Sequence, residues 1–440
     1  MKTIKILTVA LLALVQFEAL AQYEADEERP HGEGGGVQPK EEMTLAGVLR
    51  TVQENNPALK AARAKWEMLK ARVPQTRAWE DARFSATSVA GRFVNIPPES
   101  FTNQSAMLEQ ELPVSGKNLS RARAATAEAA AAFEELHRAE LDAVTRSKTA
   151  YFKLSGGYAQ LKVNDQNQEL LNQMVEISRA KYEVGSQSEA DVLLAQTDLA
   201  RLAEAHATIE RDISDQQSQL NILMNRPAWT PVGSPELLSF KSEKVSPERL
   251  EALALTNRPE IVMAQRRIEA EKARLQLAKR QWISDPMVNV TAQRYNVTSQ
   301  AVNEVDVGIS LPLPWLNHAK YSAAVTEAEK SVENAQQEYE ATRAEVLGMV
   351  RDQLEKIATT QRNYQLYRDK ILPLANQAVQ TTRTSYETDK TSFLELITAR
   401  RTLQDVESAA VDHLMNYQVA VAELESIVGS DPSNEKSNSK

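Results

Sequence analysis

The chain has 440 residues and a formal net charge of −9, with 25% charged residues, 5% aromatic residues and no Cys. Nucleic acids are bound through basic patches, and the sequence has no Lys/Arg-rich run, so we expect no nucleic-acid partner. Ala, Glu, Gln, Leu and Arg dominate the composition, which is typical of long helices. Without Cys, neither disulfides nor a Cys-linked lipid anchor is expected.

The chain begins with the features of an export signal. Lys2 and Lys5 precede an apolar segment, residues 6–15, which is too short to span a bilayer. Small residues at the end of this segment fit a signal-peptidase site. We therefore predict a signal peptide over residues 1–21. The polar residues 22–41, which contain several Gly and Pro, predict a disordered lead.

The rest of the chain repeats itself. Three motifs occur twice in the same order, 202, 199 and 204 residues apart: NNP at 55–57 and NRP at 257–259, ELP at 111–113 and SLP at 310–312, and YEVGSQSEADVLLAQ at 182–196 and YETDKTSFLELITAR at 386–400. This order predicts a first repeat over residues 42–225 and a second over residues 247–428. The Pro-, Gly- and Ser-containing residues 226–246 form a predicted linker, and residues 429–440 form a polar tail.

Very long helices are predicted in both repeats. Residues 117–183 contain no proline and would span roughly 100 Å as one helix, with one break candidate at residues 155–157, Ser-Gly-Gly. In the second repeat, residues 319–388 contain one break candidate, Pro373. After each copy of the third motif, apolar residues recur every seven positions and predict coiled-coil seams. The two copies are therefore expected at the tips of two helical hairpins.

A period of two replaces the helical pattern before each Leu-Pro. Residues ~287–296 and ~302–311 alternate apolar and polar side chains and predict a β-hairpin with one apolar and one polar face. A weaker pattern predicts strands at ~83–94 and ~104–112. Four strands cannot close a barrel, but three copies would supply twelve strands of the length that outer-membrane barrels use. A small soluble sheet packed against helices is the alternative.

These motifs resemble the TolC-like outer-membrane factors, and the resemblance covers nearly all of residues 42–428. It is carried by RAKYEVGSQSEADVLLAQTDLA (179–200), RTSYETDKTSFLELITARRTL (383–403), LEQELPVSGKNLSRA (108–122) and VGISLPLPWLNHA (307–319). It implies a mainly α-helical, internally duplicated chain that assembles as a homotrimer. Long α-helical hairpins would form an α-barrel across the periplasm, and four strands per protomer would form a 12-stranded membrane β-barrel. The linker would lie in an equatorial belt.

The resemblance also implies a function. The protein would be an outer-membrane channel-tunnel, embedded in outer-membrane lipid, that serves as the exit duct of a tripartite efflux system. Its partners would be a periplasmic adaptor and an inner-membrane RND or ABC transporter, and the overall pattern leans to the heavy-metal branch of the family. A type I secretion component is the alternative. A periplasmic adaptor or a coiled-coil protein without a pore fits less well, because the chain has two hairpins and alternating strands.

Individual residues receive roles from the same resemblance. Asp191 and Glu395 would form acidic rings that close the periplasmic mouth and favour cations, although first-turn acids also suit a helix dipole. The hairpin tips, where an adaptor would dock, comprise Tyr182, Val184, Gly185, Ser186, Ser188, Tyr386, Asp389, Lys390 and Ser392. Gly185 suits positive φ, and Ser188 and Ser392 suit N-caps. The barrel lumen would be lined by Asn289, Thr291, Gln293, Asp306 and Ser310.

No catalytic pattern accompanies these features. The five His residues form no cluster, and neither a phosphate-binding loop nor a nucleophile elbow occurs. The abundant carboxylates are spread along polar helix faces, as in solvated helices. We therefore predict no enzymatic activity, no cofactor and no metal site.

Overall fold

The computed structural model describes residues 43–88, 102–240, 246–297, 300–388 and 390–429, and every structural statement below refers to those residues. The predicted signal peptide and disordered lead lie outside them, as do Asp389 and all of the polar tail except Gly429. The outer part of the first predicted strand, residues 89–94, and residues 241–245 of the predicted linker also lie outside.

Helices form most of the described chain. The first repeat contains α1 (Leu45–Asn55), α2 (Pro57–Arg77), α3 (Lys117–Glu183) and α4 (Glu189–Leu223). The second repeat contains α5 (Pro247–Asn257), α6 (Pro259–Arg280), α7 (His318–Leu366), α8 (Leu372–Glu387) and α9 (Phe393–Val428). A 3₁₀ turn, Pro314–Asn317, precedes α7, and a π-helix, Tyr367–Ile371, joins α7 to α8.

The predicted break at residues 155–157 is wrong, because α3 runs without interruption over 67 residues. The two glycines there serve close packing instead. A Cβ at Gly156 would lie 2.6 Å from Sδ of Met415 on α9, and a Cβ at Gly157 would lie 2.8 Å from Cγ1 of Ile213 on α4. Both contacts are shorter than real Cβ contacts, so the missing side chains let the two neighbouring helices approach α3.

The strands form one antiparallel sheet that unites the repeats. Its order is β1 (Arg83–Ser88), β2 (Thr102–Glu111), β3 (Met287–Val297) and β4 (Gln300–Ser310). The central pair, β2 and β3, joins the first repeat to the second, and β1 and β4 are the sheet edges. The strands therefore lie where the alternating pattern predicts them.

Each repeat has a hydrophobic cluster in which its helices pack together, and the two clusters occupy equivalent positions. The first cluster includes Val48, Val52, Leu59, Ala143, Leu220 and Met224, and the second includes Leu250, Ala254, Ile261, Val346, Leu424 and Val428. Each residue of the second cluster stands 202 to 204 positions after its counterpart. The duplication seen in the motifs thus extends to the cores.

The Asn-x-Pro motif secures the first cluster. Pro57 occupies the first turn of α2, and the buried Asn56 caps this helix by accepting hydrogen bonds from the N–H groups of Ala58 and Leu59. The Asn56 amide also donates to the carbonyl of Leu223 at 2.9 Å. In the second repeat, Arg258 takes this position and donates to the matching carbonyl, that of Ile427, at 3.1 Å.

Candidate functional site: the hairpin tips and the sheet

The first hairpin tip ends α3 in a Schellman motif. Gly185 has φ of 72°, as its position predicts. Its N–H donates to the carbonyl of Tyr182, and the N–H of Ser186 donates to that of Lys181, both at 2.9 Å. Tyr182 and Val184 are exposed at this turn. The tip therefore offers an apolar surface on a rigid backbone.

The second hairpin tip uses the same backbone hydrogen bond. The N–H of Lys390 donates to the carbonyl of Ser385 at 2.9 Å, which matches the bond from Ser186 to Lys181 in the first tip. Asp389, which takes the place of Gly185 in the sequence, lies outside the described residues. The two tips thus share this closing bond although their residues differ.

Both predicted N-caps are confirmed. Ser188 accepts a hydrogen bond from the N–H of Ala190 at 3.2 Å, and Ser392 accepts one from the N–H of Glu395 at 3.3 Å. Asp191 and Glu395 lie in the first turns of α4 and α9, where helix dipoles favour acids. Asp191 is half-buried, whereas Glu395 is exposed and accepts a hydrogen bond from Thr391. Within the described protomer, no hydrogen bond joins the two acids.

Tyr386 connects the second hairpin to the first. Its hydroxyl donates to Oε1 of Gln187 at 2.8 Å, and the Lys181 ammonium lies 4.2 Å from its ring centroid. The ring also lies 5.7 Å from that of the buried Phe393. Tyr182, the counterpart of Tyr386 in the first repeat, is 45% exposed. The two equivalent tyrosines therefore have different surroundings, which the repeat pattern did not predict.

A partly buried ion pair joins the hairpins farther from the tips. Nε of Arg401 donates to Oδ2 of Asp198 at 2.7 Å, and Nη2 donates to Oδ1 at 2.6 Å, a bidentate geometry. The Asp198 side chain is only 8% exposed and that of Arg401 is 40% exposed. The duplication does not mark this pair in the sequence, because the equivalent positions in the other repeat hold Thr402 and Thr197. The sequence feature that could have indicated the pair is Asp198, an acidic residue next to the apolar seam of α4.

A cavity of about 330 Å³ lies beside this ion pair, lined among others by Arg201, Arg400 and Asp405. Burial lowers the pKa of the Arg400 guanidinium. Its Nη2 donates to Oδ1 of Asn167 at 3.2 Å, and the Asn167 amide donates to Glu407 at 3.0 Å. The hairpins are thus joined by polar contacts as well as by the apolar cluster that includes Leu171, Ala195, Leu202, Phe393 and Ile397.

The sheet has one apolar and one polar face. Phe84, Leu108, Val290 and Val307 are paired across the four strands in one row, and all four side chains are exposed. On the opposite face, Gln293 donates to Asp306 at 3.0 Å. The alternation of the strands places all of the predicted lumen residues on this polar face: Asn289, Thr291, Gln293, Asp306 and Ser310.

A buried carboxylate joins the repeats where the sheet meets the helices. Asp285 accepts hydrogen bonds from the N–H and the hydroxyl of Ser115, both at 2.7 Å, and from the Lys117 ammonium at 2.9 Å. Gly116 between them has φ of 68°, and a Cβ there would clash with the guanidinium of Arg280. Burial by itself raises the pKa of Asp285, but Ser115 and Lys117 outweigh it and hold the pKa below its ordinary value.

We expect the substitution Asp285→Asn to lower the free energy of unfolding by about 3 kcal/mol at neutral pH, because it leaves Lys117 without its buried partner. The folded pKa lies below the unfolded value of about 3.9. The Asp285 carboxylate therefore makes its full contribution to the free energy of unfolding at pH values above the unfolded pKa. This contribution is lost as the pH falls through the folded pKa. Thermal unfolding of the unmodified protein and of the Asp285→Asn variant, each at pH 7 and at pH 3, measures this difference in stability.

Asp81→Asn is the matched control, because Asp81 precedes Asp285 by 204 positions and is exposed. Its substitution is expected to change the midpoint little at either pH. A destabilisation by Asp285→Asn that is equally large at pH 3 and pH 7 would contradict the role given to the charged carboxylate.

Comparison with known proteins places these features in a family. The sequence model of the outer membrane efflux protein family matches residues 48–226 and 250–430. The chain belongs to the outer membrane efflux protein family. The two matched segments coincide closely with the two repeats. The family membership agrees with the resemblance that the tip and strand motifs indicate.

One curated relative and several solved structures extend this family assignment. CzcC, a cobalt-zinc-cadmium resistance protein of Cupriavidus metallidurans, is 23% identical over 216 residues, which cover 49% of this chain and 46% of CzcC. The match thus spans about half the length of that relative. The solved structure of the outer-membrane channel OprN has a TM-score of 0.76 and 19% identity, covering 88% of this chain and 90% of OprN.

A second solved structure shows the same fold. The outer membrane protein VceC of Vibrio cholerae has a TM-score of 0.73 and 20% identity, covering 88% of this chain and 96% of VceC. Among the described residues, none of the helices is long and apolar enough to cross a membrane. The same part of the chain holds no cluster of three or more His, Asp or Glu side chains that could bind a metal ion.

Proposed function

We propose that the protein is the exit duct of an efflux system, a homotrimer in which three sheets close into a 12-stranded β-barrel in the outer membrane. The observation that carries this proposal is the sheet itself. Its edges, β1 and β4, are open to strands of neighbouring copies, one face is apolar and the other is polar. A lipid-exposed sheet must be closed to satisfy its backbone groups, and three copies supply enough strands.

In this arrangement the apolar face contacts outer-membrane lipid and the polar face lines the lumen. The helical hairpins extend into the periplasm and form an α-barrel, and residues 226–246 lie in its equatorial belt. Family membership across both repeats favours this duct over an adaptor or a coiled-coil protein without a pore. It also supports a passive conduit without catalytic residues, so the energy for transport comes from another protein.

The partners follow from the duct. An inner-membrane RND or ABC transporter supplies the energy, and a periplasmic adaptor docks at the hairpin tips. The exposed Tyr182 and Val184 offer the adaptor an apolar surface beside the Gly185 turn. The similarity to CzcC favours heavy-metal cations as the exported substrate.

The assembly is tested by measuring the mass of the detergent-solubilised protein. We expect three copies per particle and recovery in the outer-membrane fraction of cells. A monomer that stays soluble without detergent would contradict the duct.

Asp191 and Glu395 are proposed to form the acidic rings at the periplasmic mouth. Three copies contribute six carboxylates, and like charges in a narrow opening attract cations. Replacing both acids, with Asp191→Asn and Glu395→Gln, is expected to lower the cation-to-anion permeability ratio by about threefold or more. Reversal potentials in planar bilayers under a salt gradient measure the ratio.

Glu189→Gln is the matched control, because Glu189 is an exposed acid in the same first turn as Asp191. It removes a similar interaction with the helix dipole, of about 0.3–1 kcal/mol, without removing a proposed ring residue. Unchanged selectivity in the double variant would limit Asp191 and Glu395 to a role at the helix ends.

A further inference from the structure

The second repeat has four residues more than the first between its Leu-Pro motif and the buried part of its long helix. Buried positions on the two long helices show this, since Ala132 and Ser147 of α3 match Ala335 and Val350 of α7, each 203 positions later. The preceding Leu-Pro motifs are only 199 positions apart. The 3₁₀ turn Pro314–Asn317 lies in this longer segment.

This turn carries exposed apolar side chains. Pro314 is buried and fixes the turn against the protein, and the N–H of Leu316 donates to the carbonyl of Leu313 at 3.3 Å. Trp315 is 55% exposed and Leu316 is 75% exposed. The first repeat has only Val114–Gly116 at this point, and its Ser115 is buried against Asp285. The turn is therefore a feature of one repeat.

The turn continues the apolar face of the sheet. Alternate residues of β4 and of the segment after it are exposed and apolar: Val305, Val307, Ile309, Leu311 and Leu313. This row of apolar side chains continues beyond Ser310, where β4 ends, and Trp315 is its next member. Beyond the turn, the exposed Lys320 provides a cation in the first turn of α7. Apolar, aromatic and basic side chains thus follow one another along the chain away from the sheet.

We propose that the segment Leu313–Leu316, the interfacial turn, inserts into the phospholipid leaflet on the helix-bearing side of the sheet. This inference rests on the proposed outer-membrane function. Trp has an apolar body and a polar N–H, so its favoured position in a bilayer is the headgroup region. Leu313 and Leu316 contact the acyl chains there, and Lys320 reaches toward lipid phosphates. Each protomer has one such anchor, on its second repeat.

The test is the quenching of tryptophan fluorescence by brominated phospholipids after reconstitution into vesicles. Trp79, Trp282 and Trp315 all lie at the helix-bearing end of the sheet, so the variants are made in a background that carries Trp79→Phe and Trp282→Phe. With bromine close to the headgroup, Trp315→Phe is expected to remove most of the quenching. Bromine near the chain ends should quench Trp315 less.

Trp229→Phe is the control, because Trp229 is 92% exposed but lies on the linker. Its removal is expected to leave lipid quenching unchanged. Conductance of the same vesicles, fused with a planar bilayer, reports the duct separately. If the protein conducts but brominated lipids do not quench Trp315, the proposed insertion of the interfacial turn is overturned and the duct is not. A Trp315→Phe variant that no longer forms the trimer would have the same consequence. Absence of both quenching and conductance would overturn the turn and the duct together.

Discussion

Replacing Arg401 with Ala is expected to weaken the contact between the two helical hairpins. Its guanidinium makes two hydrogen bonds to Asp198, a carboxylate that is only 8% exposed. Removing one partner of a buried pair leaves an uncompensated charge and costs about 3–5 kcal/mol, and we expect the lower end because Arg401 is 40% exposed. The pair joins different hairpins, so its contribution is lost when the hairpins separate.

If the proposed mouth opens by separation of the hairpins, its opening equilibrium should shift by up to roughly 100-fold, since each 1.4 kcal/mol changes an equilibrium constant about tenfold. Open probability in planar bilayers measures this shift, and the thermal midpoint reports the accompanying loss of stability. Both quantities are expected to respond, because the ion pair joins the two hairpins of the folded protomer.

Two variants serve as controls for Arg401→Ala. Arg201→Ala removes an exposed arginine from the same cavity and is expected to change little. Exchanging the charges, with Asp198→Arg and Arg401→Asp together, should restore part of the effect. If Arg401→Ala behaves like Arg201→Ala, the ion pair does not hold the hairpins together.

Placing a charge on the apolar face of the sheet is expected to prevent insertion. Val290 lies in the exposed apolar row that crosses all four strands. An Arg on the lipid face of a barrel costs about 2–4 kcal/mol near the bilayer centre, and the cost occurs in every protomer. Val290→Arg should therefore lower the equilibrium constant for folding and insertion by roughly 30-fold or more. A urea titration of folding into phospholipid vesicles measures this change.

Thr291→Arg is the matched control, because Thr291 is the next residue of β3 and points to the polar face. In a water-filled lumen its charge stays hydrated, so insertion is retained and conductance changes instead. Equal loss of insertion by both variants would contradict the assignment of the two faces.

The features that sequence reasoning could predict depend on local patterns. The four strands follow from alternation, and the caps at Ser188 and Ser392 and the positive φ of Gly185 follow from residue type at a helix end. The hairpin seams follow from seven-residue spacing, and Leu202 and Leu403 are indeed buried. In each case the signal lies within a short stretch of chain.

The features that the sequence did not reveal depend on contacts between distant residues. Asp198 and Arg401 are 203 positions apart and have threonines as repeat counterparts, so neither periodicity nor duplication marks them. The partners of Asp285 lie about 170 positions earlier in the chain. Pairs of this kind become visible only when the hairpins and the sheet are assembled.

The α-helix of the second hairpin is interrupted by a π-helix, and the physical reason is not Pro373 alone. Before the π-helix Tyr367–Ile371, equivalent residues are 203 positions apart, and at the tip they are 204 apart. A π-helix accommodates one additional residue in an otherwise continuous helix. Pro373 follows in the first turn of α8, where its missing N–H costs little. The break in α-helical geometry therefore comes just before the predicted residue.

The most direct test of the duct is the single-channel conductance of the purified trimer in planar lipid bilayers. We predict discrete conductance steps with a preference for cations, as expected if the proposed barrel is closed and leads to a mouth that Asp191 and Glu395 line. A trimer that is inserted in the bilayer but shows no conductance steps, even with the Arg401→Ala substitution that weakens the contact between the hairpins, would contradict the duct.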